Sequence, residues 1–325
     1  MSRVAVGFSE ARDPLEAASE AASGARAGLG GSCDLCLVFA SADHLPAAAP
    51  VLSVIGEALA PRHLIGCGAG GTLAAGREVE GGPGLAVWAA ELPECRLETF
   101  HLTAQREDGE LSLTGLPPDL GPPGEDAAVI LLADPYSFPS ELLLAELERS
   151  RPGTPVLGGL ASAAVDGGSV LMRGGEVHTD GAVAVLVSGL QVLPCVSQGA
   201  TPIGPEMTIT AAEGNVIREL ASVPAMERIA EALGSLGDHE QALAARGLLI
   251  GIVIDENRPS YERGDFLVRP IAGADRSSGT IAIGEPVRIG QSVRLHVRDA
   301  ASADEDLRSA LRDQVEALGD EGAAG

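Results

Sequence analysis

Two apolar runs of similar design, Leu37-Val-Phe-Ala-Ser41 and Ile130-Leu-Leu-Ala-Asp134, lie 93 residues apart in the chain. Each run ends in a polar residue, and each is followed by a proline-containing turn and a segment of helical composition. Self-similarity at a fixed spacing is the mark of an internally repeated unit. The pair therefore predicts that the amino-terminal part of the chain contains one structural unit twice.

The segments that follow the two runs also recur in the same order. His63-Leu-Ile-Gly-Cys67 corresponds to Pro155-Val-Leu-Gly-Gly159, and Gly84-Leu-Ala-Val-Trp-Ala-Ala90 corresponds to Gly181-Ala-Val-Ala-Val-Leu-Val187. The repeated unit therefore consists of strand, helix, strand, glycine-rich turn and strand. A helix between two strands favours a parallel crossover, whereas two strands joined through turns favour a hairpin. The unit thus predicts mixed sheets.

The remainder of the chain has a different pattern. Ser197-Gln-Gly-Ala-Thr-Pro-Ile-Gly204 is rich in turn residues, and the short apolar runs after it are typical of an antiparallel set. The capping-box pattern Ser302-Ala-Asp-Glu305 predicts the start of a carboxy-terminal helix. The predicted fold class is α/β with mixed (α+β) sheets, with a duplicated βαβ-plus-hairpin first half and a mainly antiparallel α+β second half. We expect two domains, 1–195 with copies at about 30–92 and 126–190, and 196–325.

Composition narrows the function classes. The 325 residues include 22 basic side chains, all of them arginine, against 46 acidic ones, and the net charge is −24. Without lysine, the chain can form neither a Schiff base nor a Walker-type phosphate site. Its acidity would repel nucleic acid and anionic membranes, so neither is expected as a partner.

The cysteines and the apolar pattern bear on location. Five cysteines at irregular spacing do not suggest a secreted disulfide framework. The first apolar run is too short for a signal peptide, and no run approaches the length of a membrane-spanning helix. We therefore expect a cytoplasmic protein with reduced thiols.

Glycine-rich turns and polar strand ends indicate a ligand pocket in the first half. Gly66-Cys-Gly68-Ala-Gly-Gly71 satisfies G-x-G-x-x-G, but further glycines and Pro83 follow too closely for the long helix of a dinucleotide site. Ligands of α/β sheets usually lie beyond the carboxyl ends of parallel strands. We predict a pocket between the two copies, with the ligand-binding residues Ser41, Gly66, Cys67, Gly68, Asp134, Gly158, Gly159 and His178.

Two positions, one in each half of the chain, allow alternative interpretations. Cys67 is either a small buried residue at a tight turn or a nucleophile with His178 as its base. In the second half, His296 alternates with Arg294 and Arg298 along one strand face. That face is either a solvated surface paired with carboxylates or an anion-binding surface.

These segments together resemble the FIST family. The first half is similar to its N-terminal module, and the second half is similar to its C-terminal module. The stretches that carry the resemblance are Leu64–Ala69, Leu131–Pro135, Val156–Ser162, Val177–Gly181, Ser197–Gly199, Pro202–Gly204, Gly264–Arg269 and Val297–Asp299.

The resemblance implies a cytoplasmic sensory protein of signal transduction that binds a small molecule, such as an amino acid or another small carboxylate. It implies no enzymatic activity and no required cofactor, and output through a separate signalling protein. Ser197 and Gln198 of the matching motif join the predicted ligand-binding residues, as do Arg269, His296 and Arg298, with the two arginines as anion anchors.

Two alternatives stay open. Some bacterial members of the family bind haem and sense nitric oxide, and His178, His296 and Cys67 are the available axial ligands here. A hydrolase that uses Cys67 or a serine would need a base within hydrogen-bond reach.

Overall fold

The computed structural model describes residues 2–107, 110–117, 126–165, 168–261 and 263–319. The described residues form two compact units, one that ends at Pro194 and one that begins at Cys195. The mixed α/β class is confirmed, with 26% of the residues in helices and 42% in strands. Within the described ranges, no helix is long and apolar enough to cross a membrane.

The amino-terminal unit contains three helices and fifteen strands among its described residues. The helices are α1 (Pro14–Gly28), α2 (Ala48–Leu59) and α3 (Ser140–Ser150), and a short 3-10 turn at Leu45–Ala47 precedes α2. The strands are β1 (Arg3–Ser9), β2 (Leu35–Ala40), β3 (His63–Gly68), β4 (Gly71–Ala74), β5 (Arg77–Glu80), β6 (Leu85–Glu91), β7 (Arg96–Glu107), β8 (Glu110–Thr114), β9 (Ala127–Ala133), β10 (Val156–Leu160), β11 (Ala164–Val165), β12 (Gly168–Ser169), β13 (Leu171–Arg173), β14 (Glu176–His178) and β15 (Ala182–Ser188).

These strands form two mixed sheets. The first has the order β1-β6-β2-β3-β13-β14, and the second has the order β10-β9-β15-β7-β8. The predicted parallel crossovers are present, since β2 pairs with β3 and β9 with β10 in parallel. The order β1-β6-β2-β3 corresponds to β7-β15-β9-β10, while the duplication itself stays a prediction.

The predicted hairpin between the last two strands of the unit is wrong. β6 does not pair with β3 but lies between β1 and β2, antiparallel to both. The physical reason is that β6 is apolar on both faces, with Val87, Ala89 and Ala90 all fully buried, so it occupies an interior position of the sheet. The glycine-rich turn forms a small hairpin of its own, β4–β5.

The two sheets stack face to face between layers of helices. One core lies between α1, α2 and the first sheet, and five alanines of α1 pack into it together with larger side chains of α2 and the strands. A second core lies between the sheets and includes Ile65, Cys67 and Val185. A third lies between the second sheet and α3, around Leu143. The small alanine side chains on the buried face of α1 allow the backbone of this helix to lie close to the first sheet.

Within its described residues, the carboxy-terminal unit consists of an antiparallel sheet and three helices. Its strands are β16 (Ala200–Glu213), β17 (Val216–Leu220), β18 (Val223–Pro224), β19 (Leu248–Val253), β20 (Phe266–Asp275), β21 (Thr280–Ile283) and β22 (Ser292–Arg298). Its helices are α4 (Ala225–Gly234), α5 (Asp238–Arg246) and α6 (Ala300–Leu318). The order is β16-β22-β19-β20-β21-β17-β18, and an additional β16–β17 pairing closes the sheet on itself.

The carboxy-terminal helix starts earlier than its sequence suggests. The carboxylate of Asp299 caps α6, because its Oδ2 accepts hydrogen bonds from Ser302 N at 3.0 Å and Ser302 Oγ at 2.7 Å. The predicted cap at Ser302 is therefore wrong by almost a turn, since Ser302 is already helical. The predicted end of the helix near Leu318 is correct.

Candidate functional site

An open groove of about 640 Å³ lies on the carboxy-terminal unit. Three pieces of chain form it: the segment that enters β16, the turn that enters β20, and the middle of α6. The lining residues are Val196, Gln198, Arg263, Gly264, Glu305, Asp306, Ser309, Ala310 and Asp313. Its size and its charged lining make it the candidate site of this unit.

One carboxylate holds one wall of the groove in place. Asp306 Oδ2 accepts a hydrogen bond from Ser197 Oγ at 2.7 Å and another from Gln198 N at 3.1 Å. The Gln198 side chain in turn donates from Nε2 to the carbonyl oxygen of Phe266 at 2.7 Å. Two residues predicted from the sequence, Ser197 and Gln198, are therefore fixed against α6 and β20.

A guanidinium group supplies the positive charge of the groove. Arg263 donates from an NH1 atom to the carbonyl oxygen of Ser302 at 3.2 Å, and the same atom lies 3.9 Å from Glu305 Oε2. The Arg263 side chain keeps 29% of its surface exposed. Gly264 follows with a φ of +95°, a conformation that favours glycine and that lets the chain turn sharply into β20.

The charges of the groove are mixed. Arg263 stands with Glu305, Asp306 and Asp313 in the lining. A guanidinium binds carboxylates in a two-pronged geometry, and carboxylates bind ammonium groups. The lining therefore suits a small molecule that carries both a negative and a positive group.

The other predicted residues of this unit lie elsewhere. Sheet register pairs Arg269 with Ile250, which is paired with Leu295, so Arg269 lies on the Leu295 face. His296 and Arg298 occupy the opposite face of β22. The predicted pair of anion anchors is therefore not brought together.

Arg269 has a local partner. Its NH2 atom lies 3.1 Å from Glu285 Oε2, and its Nε atom donates to the same oxygen at 3.2 Å. The Arg269 side chain is about one-third exposed, and the contact is an ion pair between β20 and the bend that follows β21. A ligand carboxylate would have to displace Glu285.

His296 is a core residue. It is 1% exposed, its ring meets the edge of Phe266 at 4.8 Å between centroids, and its Nδ1 atom lies 3.0 Å from the Arg294 carbonyl oxygen. Gly251 lies beneath the ring, where a Cβ atom would overlap it. Burial lowers the pKa of His296, so the ring is neutral near pH 7. The Arg298 side chain is exposed.

In the amino-terminal unit, the predicted strand-end residues form a network of contacts rather than an open pocket. Ser41 Oγ accepts a hydrogen bond from Gly84 N at 2.9 Å. A Cβ atom at Gly66 would overlap the Val38 carbonyl oxygen, and one at Gly68 would lie 2.7 Å from a Leu45 methyl carbon. These glycines allow strands and the turn before α2 to approach closely.

Asp134 anchors its own turn. Its carboxylate accepts hydrogen bonds from Ser137 N at 2.8 Å, Ser137 Oγ at 2.5 Å and Ser169 Oγ at 2.5 Å. Burial raises the pKa of Asp134, but the hydrogen bonds from Ser137 and Ser169 outweigh it and leave the pKa below its usual value. Gly158 overlies Leu131, and Gly159 is exposed on the outer strand β10.

Cys67 and His178 lie at different depths of the same unit. Cys67 is 4% exposed in the core between the sheets, and burial raises the pKa of its thiol to about 12. A thiolate at that position is strongly disfavoured near neutral pH. His178 lies at the edge of the first sheet and stacks on His101.

Sequence reasoning missed most of the groove. Arg263, Glu305, Ser309 and Asp313 come from two segments about 40 residues apart, and no motif joins them. The signal that was available is the position of Gly264, which begins one of the stretches that resemble the FIST family.

The residues fit a haem group poorly. Cys67 lies between packed sheets, and His296 has Phe266 and Gly251 against its ring. One face of His178 is covered by His101. A haem plane would have to displace these neighbours at each position. Among the residues that the structure describes, no group of three or more His, Cys, Asp or Glu side chains could hold a metal ion.

Comparison with known proteins covers nearly the whole chain. The model of the FIST N domain matches residues 34–222, and the model of the FIST C domain matches residues 225–324. A Mycobacterium tuberculosis protein is 42% identical over 311 residues, which are 95% of this chain and 80% of that protein. A Mycobacterium bovis protein is 39% identical over 308 residues, which are 94% of this chain and 78% of that protein. Both are named only as uncharacterized proteins.

Proposed function

Because the chain belongs to the FIST family, whose domains are associated with sensing in signal transduction, we propose that it is a non-enzymatic sensor of a small zwitterion. The site is the groove beside α6, and the ligand class is a free amino acid or a similar small carboxylate. The observation that carries the proposal is the partly exposed Arg263 guanidinium in a lining that also contains Glu305 and Asp313.

The binding pose follows from charge. The ligand carboxylate pairs with Arg263, which has five N–H donors, of which Ser302 uses one. The ligand ammonium group points toward Glu305 and Asp313. Ser309 and Val196 complete the lining for the remainder of the ligand. Recognition of two opposite charges selects amino acids over simple amines and simple acids.

We propose that a separate protein detects the ligand-bound state of this chain. Asp306 connects the groove wall at Ser197 to α6, so a ligand in the groove contacts both sides of that connection. A ligand that binds one arrangement of α6 better than another shifts the population toward it. We propose that a separate signalling protein in the cytoplasm responds to this shift.

The hydrolase alternative has weaker support. Its nucleophile would be Cys67 or a serine, and in the first case burial raises the pKa of the Cys67 thiol to about 12. The side chain is also enclosed between two sheets, where a substrate would not reach it.

A thermal-shift screen of the full chain against the twenty amino acids tests the sensor proposal. A ligand at a hundred times its Kd stabilises the folded state by about 2.7 kcal/mol. We expect R263Q to abolish the shift for the amino acid that gives it. R269Q is the matched control, since it removes an arginine that is paired with Glu285 outside the groove. An equal shift in R263Q and wild type, or loss of the shift in R269Q alone, would contradict the assignment.

A further inference from the structure

A second cluster of charged side chains lies on the amino-terminal unit, at the edge of the first sheet. The hairpin β13–β14 pairs Arg173 with Glu176 and Leu171 with His178. Paired residues of neighbouring strands share a face, so Arg173, Glu176 and His178 lie on the face of Leu171, which belongs to the core between the sheets. Here the second sheet contributes His101 from β7.

The position of the His178 ring is fixed by its neighbour. The rings of His101 and His178 are stacked, with centroids 3.9 Å apart and planes inclined by 19°. The Nε2 atom of His101 is in turn 2.9 Å from the Asp180 carbonyl oxygen. His178 is thus held with its Nε2 atom directed to Glu176, at 3.6 Å from Oε2.

Two nitrogen atoms of the cluster are buried without a hydrogen-bond partner among the residues that the structure describes. They are Nε of Arg173 and Nε2 of His178. The nearby acceptor is Glu176, which receives a hydrogen bond from Arg173 NH2 at 2.9 Å and leaves those two nitrogen atoms unused. Its side chain is 63% exposed, so it is easily displaced.

We propose that Arg173 and His178 form a binding site for a small oxyanion, a phosphate or a carboxylate, in which the Glu176 carboxylate is an internal competitor. An incoming oxyanion has enough acceptor oxygens to bind both Arg173 Nε and His178 Nε2. Displacing Glu176 exposes that carboxylate to water at low cost, because most of it is already exposed. The site lies on a different unit from the groove, so it stands independently of the proposed sensor function.

Binding at this site takes up a proton. Burial lowers the pKa of His178 first, and the neighbouring His101 and Arg173 lower it further, while Glu176 and Asp180 act in the opposite direction. The free site therefore holds a neutral His178 near pH 7. A bound oxyanion favours the protonated ring, so affinity increases as the pH falls.

Titration calorimetry of the full chain with inorganic phosphate tests the proposal, at pH 6 and pH 8 and equal ionic strength. We expect tighter binding at pH 6 and no binding in R173Q. Removing the competitor in E176Q should tighten binding about fivefold, the size of one exposed ion pair. A parallel titration with acetate distinguishes a carboxylate site from a phosphate site.

The control is R149Q, which breaks an exposed Arg–Glu pair on α3 and should leave binding unchanged. The net charge of −24 keeps non-specific anion binding low. Circular dichroism of each variant checks that it folds, and R173K tests the position with the charge kept and the Nε donor removed. Phosphate binding that persists in R173Q, or that is absent from both wild type and E176Q, would overturn the proposal.

Discussion

The Ser197 hydroxyl donates a hydrogen bond to Asp306 Oδ2 at 2.7 Å across 109 residues of sequence. The same oxygen accepts the Gln198 backbone N–H. One carboxylate of α6 therefore fixes the segment that leads into β16, and with it one wall of the groove. None of the side chains of α6 is fully buried, so these polar contacts are important for holding the helix.

Removing the Ser197 hydroxyl should loosen α6. A hydrogen bond to a charged group contributes about 1.5–3 kcal/mol when buried and less when exposed, so we expect S197A to cost about 1 kcal/mol. The measurement is the urea midpoint of unfolding. S309A is the matched control. Ser309 also lines the groove, on α6, and its substitution leaves the Ser197–Asp306 hydrogen bond in place. Equal midpoints for S197A and S309A would show that the Ser197–Asp306 bond does not stabilise the helix.

Much of the class of the fold could be predicted from the sequence, because repeated apolar runs and intervening helices are local patterns. The parallel pair of β2 and β3 follows from such a pattern. The position of β6 in the sheet does not follow from a local pattern. β6 pairs with β2 and not with β3, and that pairing depends on which edge of the β2–β3 pair is available in the folded unit.

The candidate site was less predictable for a related reason. Arg269 and Arg298 both lie on strands, but which face each occupies depends on register across three strands. Arg263 and Glu305 meet only because α6 packs beside the turn into β20. Such contacts leave no spacing in the sequence that could reveal them.

Alanine substitutions at Gly158 and Gly159 test whether these glycines are required for backbone packing. Gly158 has a φ of +134°, and a Cβ atom there would overlap the Leu131 carbonyl oxygen, whereas a Cβ atom at Gly159 would meet nothing within 4 Å. We expect G158A to destabilise the protein by roughly 2 kcal/mol or more and G159A to change its stability by less than about 1 kcal/mol. Thermal unfolding of the two variants provides the comparison. Similar losses in both would show that the strained backbone of Gly158 is not what requires glycine.

The cysteines should differ sharply in reactivity. Burial raises the pKa of Cys33 to about 11 and that of Cys67 to about 12, and Cys36 is also buried with a raised pKa. Cys195 is exposed. In iodoacetamide labelling at pH 7.5, followed by peptide mass spectrometry, we expect Cys195 to react first and Cys67 to react only after unfolding. Rapid labelling of Cys67 in the folded protein would restore the hydrolase alternative.

The stability of the protein should fall as the pH is lowered through the histidine range. His44 is completely buried, and neither of its ring nitrogens has a hydrogen-bond partner in the described part of the chain. Burial lowers the pKa of His44, as it lowers the pKa of His296 and His178. The unfolded chain therefore binds more protons than the folded one below about pH 6.5, and acid favours unfolding.

His44→Leu separates this contribution from the others. Leucine has no ring nitrogen to protonate or to leave unpaired, so we expect the variant to lose less stability than wild type between pH 7.5 and pH 5.5. Urea midpoints at the two pH values give the difference, and H239Q, which changes an exposed histidine, serves as the control. A variant with the same pH dependence as wild type would mean that His44 takes up its proton without unfolding.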